Sequence, residues 1–598
     1  MTSVDELFKN VGSSGKRKLD PVRDPNEIYK SAKLSASDRN SRHDRVANEN
    51  EDVDMEAGPA PPPTDEGDTG DYGPEPPPDE DDEGRFFGGG VSREQVQALD
   101  FVEARGDDAA LSVEIGATWL RKTALVFEKL INKNAELRAK YEQEPQKFIA
   151  SEADLDAAIK EFSILSEHTD LWPELVKLGT VTSLVGLLAH DNTDIAISTV
   201  QMISELTADD VESTEDDWNK LVDAMLEADL IGLLVSNLKR LDESDETDAG
   251  GVYHVLSVVE NTMSRPAVAQ TVGLDDALLR WLLDRVQRKE EGVSAGVTQN
   301  RQYSAELLAI ISQVSAATRR KLVEMDVVDV MLQLAAPYRR RDPEKGGEEE
   351  EYVQNLFETL VSLVDEPEGK TKFLEAEGIE LCVLMLRDSG SKMNKLPTVR
   401  LLNHAVSGFS ATQVCQKLVE AGGLKPLFSL FMKRHDHRIY VDLLLGIFAW
   451  MLQLLPAESP ERIRTQAKFV EKKYQKTVQL AATRRRFAEA VEKVEAEFRR
   501  TMEQMDESER ETLAGEDYSL LERIDAGLYT LQYIDIILAW LAAEDSGARG
   551  KIRELLAEQG KSLDDIKMTL QAHLDKLDPE APESRDWQEM LGALIHAI

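Results

Sequence analysis

Cysteine is almost missing from this 598-residue sequence: only Cys382 and Cys415 occur, both inside apolar helical patterns. Two such thiols cannot build a disulfide framework, and they read as buried groups of a reducing, intracellular compartment. Also missing is any run of about 18 uninterrupted apolar residues, and the opening MTSVDELFKNVGSSGKRK has no apolar stretch of a secretory signal. A soluble, non-exported chain with no membrane partner is therefore expected. Positive charge is scarce, with 70 Lys and Arg against 112 Asp and Glu and a net charge of -42. That balance disfavours direct nucleic-acid binding and favours basic partners. Period-two alternation, the mark of half-buried strands, is almost absent, so the expected fold class is all-α.

The apolar share, 41%, is enough for a packed core, and 6% aromatic with 30% charged residues suits a surface-rich helical protein. Residues 1–91 read as a disordered tail. Apart from Arg85, its Lys and Arg fall between Lys9 and Arg45, and an acidic, Pro-rich block follows with no Lys or Arg from Glu51 to Glu83. Such a segment cannot bury enough apolar surface to offset its ordering entropy. Residues 92–178 read as an N-terminal helical cap, with helical runs over Thr118–Tyr141 and Asp154–Glu167.

From 179 to 460 a repeat emerges. A Gly or Asp followed by an apolar cluster recurs at Gly179, Asp229, Gly273, Asp326, Gly378 and Gly423, at intervals of about 44 to 53 residues, near the length of armadillo and HEAT units. Each copy is followed by a polar loop and a second apolar helix. One such unit cannot bury its own apolar face, so stacking into a right-handed superhelical solenoid with a concave surface is predicted. Residues 461–598, opening on a long charged run, read as a helical C-terminal cap.

Catalytic signatures are fragmentary. SGSK at Ser389–Lys392 fits S-x-x-K but sits in a loop without companion motifs. His435 and His437 lack further ligands at zinc-site spacing and read as a solvated loop. Glycines 88–90, 250 and 422 lack the context of a phosphate loop. No enzyme, metal or cofactor is expected. The informative polar groups lie on the second helix of each repeat: Glu205, Glu260, Asn261, Glu306, Asn355, Glu358 and Asn403. Asn side chains can hold an extended peptide backbone by donating and accepting together, while carboxylates attract Lys and Arg. The pattern predicts a groove for basic peptides. Lys16, Arg17 and Lys18 form a short basic run readable by an import carrier as a nuclear localisation signal. Arg339–Arg341 and Arg484–Arg486 read as exposed faces.

Several ungapped strings carry a resemblance: FEKLINKNAELRAKYEQEPQKFIASEADL (Phe127–Leu155), LLAHDNTDIAI (Leu187–Ile197), LKRLDESDETDAGGVYHVLSVVEN (Leu238–Asn261), NLFETL (Asn355–Leu360), LFMK (Leu430–Lys433) and RIDAGLYTLQ (Arg523–Gln532). Together they resemble the beta-catenin-like protein 1 family from about residue 120 to the C-terminus. That resemblance implies a nuclear armadillo-repeat adaptor of the spliceosome-associated nineteen complex. Its expected partners are basic segments of splicing factors, the Myb-domain subunit of that complex among them. The family's tail usually carries a denser basic signal, which here shrinks to KRK, and the loop Arg288–Asn300 looks like an insertion. Two alternatives stand beside this reading. One is an importin-α-like transport receptor, against which Trp281 and Trp450 do not stand four residues before an Asn. The other is a scaffold that homodimerises through its C-terminal helices.

Overall fold

The computed structural model describes residues 115–289, 296–388, 390–504, 516–578, 580 and 583–598. The chain divides into Met1–Gly84 and Arg85–Ile598. The predicted tail, with Lys16, Arg17 and Lys18, lies outside the described residues, as does the middle of the Arg288–Asn300 loop.

The described residues are helical and contain no strand. Helices α1 (Ala117–Lys140) and α2 (Ile149–Lys160) come first. Three-helix units follow: α3 (Trp172–Lys177), α4 (Thr180–Gly186) and α5 (Thr193–Thr207), then α6 (Glu215–Glu227), α7 (Leu230–Arg240) and α8 (Glu246–Thr262). Next stand α9 (Pro266–Val272), α10 (Asp276–Gln287) and α11 (Gln299–Val314), then α12 (Ala316–Glu324), α13 (Val327–Ala335) and α14 (Glu348–Leu363). The last two units are α15 (Pro367–Glu375), α16 (Gly378–Arg387) and α17 (Lys395–Val406), and α18 (Thr412–Glu420), α19 (Leu424–Lys433) and α20 (Arg438–Leu454). This is an armadillo-type solenoid. The sequence pattern showed the second and third helices of each unit; the first helix went unseen.

The recurring Gly or Asp has a conformational cause. Gly179, Asp229 and Asp326 take left-handed backbone at φ 77, 62 and 57, which turns the chain between the first and second helices of a unit. At Gly179 the flanking segments bend by 84°. Gly and Asp tolerate this region better than other residues. In two units the left-handed residue is one position earlier than the pattern placed it, at Glu377 (φ 55) and Gly422 (φ 78). At Gly422 the next amide, of Gly423, donates to the Leu418 carbonyl at 2.9 Å, the six-to-one bond of a Schellman stop. Gly273 differs, with φ -68; an added Cβ there would stand 2.9 Å from both the Ala269 carbonyl and Thr318 Cγ2, so close packing requires the glycine.

Two of the third helices, α5 and α8, start at side-chain caps. Asn192 accepts from the Asp194 amide at 2.9 Å, and Asp245 accepts from Thr247 at 2.8 Å. Each such bond satisfies a donor that the helix itself cannot reach. The apolar faces of the third helices stack, α5 on α8, α8 on α11, and so on through α20. A single continuous core runs from Leu120 to Ile598.

The array continues into α21 (Pro460–Gln504), α22 (Glu516–Asp525), α23 (Leu528–Glu544), α24 (Ser546–Ala557), α25 (Leu563–Leu574) and α26 (Ser584–Ala597). The charged run of α21 is broken, with Lys472, Lys473 and Tyr474 in left-handed conformation. Carbonyls released at the break are taken up by side chains: Lys476 Nζ donates to Lys468 O at 2.9 Å and Thr477 Oγ1 to Phe469 O at 3.0 Å. The reading of Arg484 as exposed is corrected here. Its side chain is 3% exposed and paired with the fully buried Asp535, Nε to Oδ1, at 2.5 Å.

Candidate peptide-binding face

The long third helices α5, α8, α11, α14, α17 and α20 lie side by side. They carry Glu205 on α5, Glu260 and Asn261 on α8, Glu306 on α11, Asn355 and Glu358 on α14, and Asn403 on α17. All seven are half-buried.

Several of these groups tie one repeat to the next. Asn261 Nδ2 donates to Thr207 Oγ1 at 3.2 Å, one turn from the bond between Ser204 and Ser257 at 3.0 Å. Glu260 accepts from the Tyr303 hydroxyl at 2.5 Å. Burial first, then the Glu260 carboxylate, pushes the Tyr303 pKa up, so this hydroxyl stays a neutral donor. Glu358 is bonded by the Arg400 guanidinium. Glu205 and Glu306 accept from amides one turn back on their own helices, Gln201 at 3.2 Å and Gln302 at 2.9 Å. Asn403 Oδ1 is buried without a hydrogen-bond partner, and it would stand 2.5 Å from a Cβ at position 446; Gly446 lets α20 approach that close.

Glu358 is thus paired with a cation of its own chain, while Glu205, Glu260 and Glu306 each accept from a neutral amide or hydroxyl. The connecting residues Ser204, Ser257, Tyr303 and Arg400 were missed from sequence. Ser257, Tyr303 and Arg400 sit three or four residues from predicted ones, on the same helical face, and Ser204 is the buried neighbour of Glu205. At the edge of the row, Lys370 Nζ donates to Val364 O at 2.5 Å and His404 O at 3.2 Å. It binds the carbonyl ends of α14 and α17, where a cation also suits the helix dipole.

Elsewhere the chemistry is structural. Burial pushes both thiols up, Cys415 to about 12, so they stay protonated at neutral pH and are poor nucleophiles. Ser389 lies outside the described residues, and the rest of SGSK is pinned by Asp342, which accepts from Ser391 Oγ at 2.7 Å and the Lys392 amide at 2.8 Å. Among the described residues no three His, Cys, Asp or Glu side chains converge as metal ligands.

A family described as catenin-beta-like, Arm-motif containing and nuclear matches residues 96–571. The chain belongs to that family. Its catenin-beta-like relatives include the beta-catenin-like protein 1 homolog of Schizosaccharomyces pombe, 36% identical over 507 residues, which span 84% of this chain and 86% of the relative. The human beta-catenin-like protein 1 is 34% identical over 496 residues, spanning 79% and 85%. A solved chain from work on a phosphorylation switch between cadherin and beta-catenin aligns at a TM-score of 0.45 and 11% identity, over 84% of this chain and 91% of that one.

Proposed function

We propose that this catenin-beta-like chain is a non-catalytic nuclear adaptor of the spliceosome-associated nineteen complex. It holds basic, nuclear-localisation-like segments of splicing factors, the Myb-domain subunit among them, along the face of its long helices. Import follows from a carrier reading Lys16, Arg17 and Lys18.

One observation carries the reading. Glu205, Glu260 and Glu306 recur on successive long helices, half-buried, each accepting a hydrogen bond from a neutral group, Gln201, Tyr303 and Gln302 in turn. A carboxylate fixed by a neutral donor keeps its charge and loses little further entropy when a Lys or Arg arrives. The amides Asn261 and Asn355 share the face and supply contacts to a peptide backbone, to which Asn403, its Oδ1 buried against α20, adds only its Nδ2.

The test is titration of the full chain with a labelled peptide of alternating Lys and Arg, before and after Glu205→Lys and Glu306→Lys together. The expected result is binding weaker by about tenfold or more, a loss of about 1.4 kcal/mol, and further weakening with added salt. Unchanged affinity in a variant whose helical circular dichroism is intact removes this face as the site.

A further inference from the structure

In a chain of net charge -42, four exposed arginines gather on one surface. The loop joining α19 to α20 reads Arg434-His435-Asp436-His437-Arg438, and α21 brings Arg485 and Arg486 beside it. Arg486 Nη1 donates to the His435 carbonyl at 3.1 Å, and Arg438 Nη2 to the Ile524 carbonyl of α22 at 3.3 Å. Three segments distant in sequence therefore meet. Arg434, Arg438, Arg485 and Arg486 are all exposed.

Acids stand close by, Asp436, Asp442, Glu489 and, next to Ile524 on α22, the exposed Asp525, and Asp442 and Glu489 hold their arginines loosely. Asp436 bonds its neighbour His435 at 2.8 Å, and Glu489 stands 3.8 Å from Arg485, both side chains open to solvent. Asp442, 3.7 Å from Arg438, is engaged by the Thr530 hydroxyl at 2.6 Å. Exposed pairs of this kind contribute little and exchange readily. Beside the arginines lie two aliphatic side chains turned to water, Ile439 at 51% and Leu521 at 49% exposure, the latter one turn before Ile524 on α22.

These features select the ligand. Guanidinium groups grip carboxylates in bidentate fashion, and the aliphatic pair offers apolar anchorage between them. A nucleic-acid strand is less well served. Stacking needs exposed aromatic faces, yet Tyr440 beneath Arg434 is only 7% exposed, and a long polyanion would have to cross the acidic surface around the patch. We propose that the surface formed by Arg434, Arg438, Arg485 and Arg486 with Ile439 and Leu521 docks an acidic protein segment whose Asp or Glu residues flank an aliphatic side chain. It is a second docking surface, built on arginines where the long-helix face is built on carboxylates, and independent of it.

The probe is a fluorescein-labelled twelve-residue peptide of Asp and Glu with a central Leu-Leu pair, titrated by anisotropy into the full chain. Saturable binding that falls with added salt is expected. Arg434→Glu with Arg438→Glu should weaken it by about tenfold or more, and Ile439→Ser should weaken it by a few fold with every charge kept. Arg485→Glu, whose side chain makes only one loose pair, gives a second charge variant should the first fold poorly. Binding of the Lys-Arg peptide should be unchanged in all of them, which separates this surface from the long-helix face. The inference is overturned if the unaltered chain shows no saturable binding or if the charge variants bind equally well. Tighter binding of a twelve-nucleotide oligouridine than of the acidic peptide also overturns it.

Discussion

The repeat array and the C-terminal helices both bury charge, but the array's first long-helix junction does without it. Between α5 and α8 the links are small and uncharged, Ser204 to Ser257 and Asn261 to Thr207; further along they include Tyr303 to Glu260, Arg301 to Tyr352 and Arg400 to Glu358, and Arg285 pairs with Glu243 at 2% and 9% exposure. In the C-terminal region they are ionic and deep. Arg484 and Asp535 are 3% and 0% exposed, and Arg462, 4% exposed, donates to the Leu452 and Leu455 carbonyls and pairs with Glu544 while lying 4.6 Å from the Trp540 ring centroid. Each array junction repeats the last, so apolar packing already sets its register. The terminal helices are not equivalent to one another. A buried ion pair that tolerates one arrangement only gives them a specificity that apolar contact cannot.

The sharpest way to break the comparison is at the deepest pair. Asp535→Ala strands the Arg484 guanidinium in the core, and the expected cost is about 3–5 kcal/mol. Arg484→Met combined with Asp535→Leu removes both charges and should recover most of that loss. Urea unfolding followed by tryptophan fluorescence checks this, since Trp540 and Trp587 lie in the same region. If the double variant is as unstable as the single one, the loss comes from packing and the ionic account is wrong.

The same contrast governs what the sequence discloses. The repeat is legible because a left-handed turn selects Gly or Asp, as at Gly179, Asp229 and Asp326. It is misplaced by one residue where Glu377 takes that conformation against its preference. Helical phase alone puts the seven polar residues on one face. It cannot reveal that Arg400 reaches Glu358 or Tyr303 reaches Glu260, because those pairs depend on how one repeat is set against the next. Arg484 was misjudged since three adjacent arginines resemble a solvated run. The available signal was its partner: Asp535 interrupts the apolar string TLQYIDIILAW, where an unpaired carboxylate would be intolerable.

A pH titration sharpens the comparison within the C-terminal region. Burial lowers the His573 pKa from the ordinary 6.5 to about 4, its Nδ1 has no hydrogen-bond partner, and the Trp587 ring lies 5.4 Å away. Between those pH values the unfolded chain takes up a proton that the folded chain refuses. Stability that is complete above about pH 6.5 is therefore lost as pH falls toward 4, by about 3 kcal/mol in all. In His573→Gln this part of the acid sensitivity should vanish. Equal slopes of stability against pH in the two proteins would show that His573 is solvated when folded.

The smallest effect is expected in the array, and its size is the point. Tyr303→Phe deletes one hydroxyl and leaves its ring against Tyr253, the centroids 5.3 Å apart. Glu260, half-buried, can turn part of its charge to water, so the expected loss is about 1 kcal/mol. A shift of the thermal midpoint by a few degrees or less would register it. Peptide affinity supplies the second reading. Released from Tyr303, the Glu260 carboxylate is less well held, and a Lys-Arg peptide should bind the variant somewhat more weakly at equal charge. A loss as large as that of Asp535→Ala would mean that the array, too, depends on individually essential polar links, and the two regions would then differ in chemistry without differing in logic.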